Sequence, residues 1–149
     1  MIQLIVWQGA AHNVYGGPRR YLQTFIHPDV DHMRKAARRY SGNDFSTALG
    51  VCHPAPVRER YDKATDTWTQ TPYAHRAGIV RLVAGHVTTE IVAHEFTHAA
   101  LAIYRMDVKA DVRLSRGCAD REETLAYIVG DLIASASNRL HAAGAWSYE

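Results

Sequence analysis

From Ile91 to Tyr104 the chain carries no proline and one formal charge, Glu95. An unbroken apolar run of that length is what a helix packed into a core requires, so the rest of the fold has to be arranged around it. Yet the run contains His94, Glu95 and His98. Burying two imidazoles and a carboxylate costs several kcal/mol unless each finds a partner, and a bound metal ion is one such partner. On an α-helix, residues four apart share a face with Cβ atoms about 5–6 Å apart, so both rings reach one zinc ion. Glu95 leans to the side of that face, where it can take a proton from a zinc-bound water without ligating the ion. With 9 histidines in the chain, the five-residue pattern has roughly a few per cent chance of arising from composition alone. The plain alternative is a core helix whose histidines find ordinary hydrogen-bond partners.

Bulk properties bound the remainder. At 149 residues, 47% apolar and 21% charged, the chain fits one globular domain spanning residues 1–149 with a real core. A net charge of +2 does not by itself point to nucleic acid or a membrane surface. Cys52 and Cys118 show no CxxC pairing, which argues against a zinc finger or a disulfide scaffold and leaves a single bridge between them open. Met1 to Trp7 lacks the basic lead and length of a signal peptide and reads as a first strand. No run approaches a membrane span, so the expected location is the cytoplasm, including that of a bacterial host if the gene is phage-borne.

Along the chain, Gly16-Gly17-Pro18 interrupts regular structure after the first strand. Val30, Met33, Ala37 and Tyr40 recur at helical spacing, with Asp29 or Asp31 at the start and Ser41-Gly42 at the end. The opposite face of that helix carries Arg34, Lys35, Arg38 and Arg39, readable as a phosphate-binding stripe or, more plainly, as a solvated face. Ala48–Cys52 is a candidate strand, and Arg58–Asp62 faces Thr67–Thr71 as a hairpin. Gly78–Val83 is the strongest strand; placed at a sheet edge, its free backbone groups would hold an extended peptide across the metal. Arg81 within it is expected at the surface. The metal helix is expected from Thr89 to Arg105, a polar stretch from Asp107 to Gly117, and a last helix from Asp120 to His141 with Leu125, Val129, Leu132, Ile133 and Ala136 as its apolar stripe.

A catalytic zinc holds three protein ligands and one water. Tyr104 stands where a metzincin has its third ligand and Ala102 where an HxxxH extension would put one, which leaves a carboxylate on a second helix, Glu122 or Glu123. His94-Glu95-Phe96-Thr97-His98, with Glu123 followed by Ala126 and Gly130, resembles the zinc and ligand helices of gluzincins such as thermolysin and of ImmA/IrrE-like metallopeptidases of phages and mobile elements. The likeness covers the stretch from Ile79 to Gly130. It implies an α+β, zincin-like domain with a small, mostly antiparallel sheet and an N-terminal helix packed on the HExxH helix and a C-terminal ligand helix. It also implies Zn2+ held by His94, His98 and a glutamate, with Glu95 as general base in hydrolysis of a protein or peptide. Tyr127 departs from the pattern, occupying a place where many gluzincins have Asp or Asn.

Two arguments compete for the third ligand. Glu122 lies in line with Leu125, Val129 and Ile133, whereas Glu123 fits the family pattern, and the small Ala126 and Gly130 on its side would admit the zinc helix closely. Glu123 also stands three residues after Asp120, the spacing of a capping box. The reading favours Glu123, with Glu122 the alternative. Tyr127, Tyr104, His86 and His141 are candidates to stabilise the oxyanion, while His12, His27, His32, His53 and His75 are expected to be ordinary packed or exposed side chains. The rival function is a zinc-containing regulatory or nucleic-acid-associated module using the basic helix; a weaker one is a zinc amidase. An intact Glu95 favours the enzyme, because a structural site needs no base.

Overall fold

The structure, a computed structural model, describes residues 1–108 and 119–148. Its elements run β1 (Ile2–Trp7), α1 (His12–Tyr15), β2 (Tyr21–His27), α2 (Val30–Ser41), β3 (Gly50–Pro54), β4 (Val57–Asp62), β5 (Thr67–Pro72), β6 (Arg76–Val83), α3 (Thr89–Ile103) and α4 (Ala119–Ala142). A π-helical turn, Tyr104–Val108, continues α3. The fold is mixed α/β: a four-stranded sheet in the order β1-β2-β6-β3, and a separate two-stranded ribbon, β4-β5. Pairing is antiparallel except between β2 and β6. Among the described residues no helix is long and apolar enough to cross a membrane.

The central place of β6 follows from its sequence. Residues 77 to 83 are all buried, and a strand apolar on both faces belongs inside a sheet covered on both sides. This corrects the expectation that Gly78–Val83 ends the sheet; β3 is the edge, carrying Gly50, Val51 and Cys52 past α3. On one face, Leu4, Val6, Leu22, Ile26, Val80 and Leu82 pack against α3 and α4 in the main core. On the other, Val51 and Val83 meet Met33 and Ala37 of α2.

The helix ends follow local chemistry. Asp29 caps α2 by accepting from the His32 N–H at 2.8 Å, and Gly42 ends it at φ 76°, a left-handed conformation that costs glycine little. Thr88 caps α3 by accepting from the Ile91 N–H. In α4 the fully buried positions are Ile128, Leu132, Ala136 and Leu140, with Leu125, Val129 and Ile133 packed partly beside them. Beyond α3, Asp107 in the π turn binds Arg20 through two oxygens at 2.6 and 2.8 Å, tying the helix end to the start of β2.

Arg81 is the second correction. It is only 9% exposed and lies on the α2 face, where its Nε donates to His53 Nε2 at 3.3 Å and its Nη1 lies 3.4 Å from His27 Nε2. Phe25 and Tyr40 present their rings to the guanidinium. Burial foremost, and Arg81 second, pushes His53 down to about 4 and lowers His27 in the same direction.

Candidate metal centre

His94 and His98 stand on successive turns of α3, and their Nε2 atoms converge to 3.3 Å, with the rings steeply inclined at 78°. Two nitrogens each about 2.05 Å from a tetrahedral ion are about 3.3 Å apart, so the pair already has the spacing that one zinc imposes. Both rings are exposed on the side away from the core, whereas Glu95, one residue round the helix, is 5% exposed and turned toward the edge strand. The residues therefore fit two of the ligands and the base of a zinc centre.

The sheet edge fixes Glu95. The backbone N–H of Cys52 donates to its carboxylate, and burial, working against that bond and the nearby His94, raises the acid above the ordinary carboxylate range. Gly50 makes the approach feasible: a Cβ there would lie 2.8 Å from Glu95 Cγ, 2.9 Å from its Oε1 and 3.0 Å from Ile91 Cγ2. Cys52 borders the same cleft as an inert thiol, pushed up to about 12 by burial and the charge of Glu95. The cleft is about 560 Å³ and is bounded by β3, the two histidines, Leu101, Arg105 and Phe45.

Arg105 is the residue that sequence reasoning missed. His94, His98, Leu101 and Arg105 are spaced by four, three and four, so one stripe of α3 and its π turn carries them all to the cleft. Spacing beyond the motif was the available signal. None of the four oxyanion candidates borders the cleft among the described residues. Tyr104 is buried in the core, Tyr127 is 53% exposed on α4, and His141 stacks on Trp146.

The third ligand is not brought to the pair. Glu122 and Glu123 are exposed on the first turns of α4, and among the described residues no group of three His, Cys, Asp or Glu side chains is placed to hold a metal. The close approach expected on the Glu123 side does not occur: Ala126, Tyr127 and Gly130 are exposed, and a Cβ at Gly130 would meet nothing within 4 Å. Helical geometry puts Glu122 on the inward stripe with Leu125 and Val129, and Glu123 nearly opposite. The side chains of Asp120 and Cys118, with the proposed capping box and the bridge to Cys52, lie outside the described residues, as does most of the expected polar stretch to Gly117. Comparison with protein-family models, curated proteins and solved structures gives no match.

Proposed function

We propose that the chain is a small zinc-dependent metallopeptidase of the HExxH type, similar to gluzincins, that hydrolyses peptide bonds in a protein or peptide. The observation that carries this reading is the 3.3 Å convergence of the His94 and His98 Nε2 atoms beside a buried Glu95. His94 and His98 would hold the ion, and the reading assigns the third place to a carboxylate from the start of α4, Glu123 by the family pattern or Glu122 as the alternative, although both are exposed and neither joins the pair in a group of three among the described residues. The chemistry supplied at such a centre would be a bound water acidified to a pKa of about 7 and a polarised carbonyl.

The chain's own groups then have defined tasks. Glu95 accepts the proton of the attacking water and delivers it to the leaving amine nitrogen. The Cys52 N–H and the absence of a side chain at Gly50 hold its carboxylate to one position. Arg105 supplies positive charge at the cleft wall for the developing oxyanion or for a substrate carbonyl. The edge strand β3 offers backbone groups along which an extended peptide lies.

The test is Glu95→Gln beside the unaltered protein, with zinc content and peptide hydrolysis measured on both. Zinc is retained in the variant and hydrolysis is lost by about 100-fold or more. Equal cleavage by the two proteins refutes the assigned base.

A further inference from the structure

Phe45 borders two concavities: the cleft of His94, Glu95 and His98, and a second of about 650 Å³ between α2 and the segment leading to β3. The second is strongly cationic. Arg34, Lys35, Arg38 and Arg39 line it against two acids, Asp31 and Asp44. Asp44 is already engaged by the N–H and hydroxyl of Ser46. Arg34 donates from Nε to the Ala48 carbonyl at 3.0 Å, which fixes the cationic helix to the chain entering β3. Lys35, Arg38 and Arg39 make no ion pair with a carboxylate among the described residues. Phe45 is the lining residue the two concavities share, and Gly50 at the start of β3 lines the histidine cleft.

We propose that the basic concavity is an extension of the substrate cleft, and that the substrates are polypeptides with a cluster of aspartates or glutamates on the side of the scissile bond that leaves past Phe45. The assignment deepens, and rests on, the metallopeptidase reading. The sequence supplies the helix stripe, and the fold adds that its concavity shares Phe45 with the cleft of His94 and His98. The residue shared with the cleft favours an acidic polypeptide over nucleic acid, as does a lining in which Phe45 is the single aromatic side chain among the described residues.

Binding is measured without metal, in EDTA, by fluorescence anisotropy of labelled peptides: an apolar leader followed by a run of glutamates, the same peptide with glutamines, and the acidic peptide in reversed order. One acidic peptide binds about 10-fold more tightly than its glutamine counterpart, and the advantage falls steeply with added salt. Arg38→Glu with Arg39→Glu abolishes the preference, and Arg38→Gln with Arg39→Gln reduces it, both helix positions being exposed. Equal binding of acidic and neutral peptides overturns the proposal, as does tighter binding of a single-stranded oligonucleotide of matching charge, which would reassign the groove to nucleic acid. On adding zinc, the preferred acidic peptide is cleaved with the higher kcat/KM. Binding without cleavage removes the peptidase reading and the substrate assignment together, whereas equal cleavage of both peptides removes only the groove's role.

Discussion

Replacing Gly50 with alanine tests how the edge strand holds Glu95. The added Cβ would sit 2.8 Å from Glu95 Cγ and 3.0 Å from Ile91 Cγ2. Restoring an ordinary carbon contact of about 3.5–4.0 Å requires a displacement of roughly 0.5–1.2 Å. Cγ lies in the middle of the side chain, so the clash cannot be relieved by swinging a free end. Overpacking of this kind costs about 1–3 kcal/mol, which at a slope of about 1–3 kcal/mol/M lowers a urea midpoint by about 1 M. In a Glu95→Ala background two of the three close contacts vanish, and the cost should fall by at least about 1 kcal/mol, read as the coupling energy of a double-mutant cycle. On the proposed metallopeptidase reading, the same displacement should cost about 100-fold in hydrolysis without loss of zinc. An identical cost of Gly50→Ala in both backgrounds would refute the claim that Glu95 is seated by β3.

Other consequences follow from the buried charges. His53 titrates near 4 in the folded chain against about 6.5 unfolded, so between those values the unfolded state binds more protons and stability rises with pH. The contribution of this group is complete above about pH 6.5 and falls by about 2–3 kcal/mol as pH drops toward 4; His27 acts in the same direction, and urea midpoints of the protein and its His53→Gln variant across that window should converge at low pH. Asp107→Asn leaves Arg20, 11% exposed, without its carboxylate and should cost about 3 kcal/mol of stability measured in urea.

Local chemistry made α2, α3 and α4 legible in the sequence, whereas the short α1 fell where a loop was expected. Asp29, Gly42 and Thr88 cap or end their helices as their residue types suggest, and the apolar run from Ile91 set the position of α3. The ribbon of β4 and β5 was legible for the same reason, its turn residues being local. The sheet was less so. β2 went unrecognised although Leu22, Thr24 and Ile26 alternate with less buried neighbours, because its parallel pairing with β6 joins segments separated by a hairpin and a helix. Arg81 was expected at the surface because arginine is seldom buried; two neutral histidines contributed by β2 and β3 are what accommodate it, and only the fold brings them together. At the site, the HExxH spacing gave the histidine pair directly. Arg105 lay two pattern steps beyond the motif, and the small residues Ala126 and Gly130 that favoured Glu123 are exposed and leave both glutamates away from the pair.

The most direct test of the central claim is zinc stoichiometry and affinity measured on the metal-stripped chain, compared with His94→Ala and His98→Ala. The account predicts about one tightly bound zinc per chain, with affinity reduced by about 100-fold or more in either variant. Failure of the chain to take up zinc, or uptake unchanged when either histidine is removed, would contradict the proposal that these two imidazoles converge on a catalytic ion.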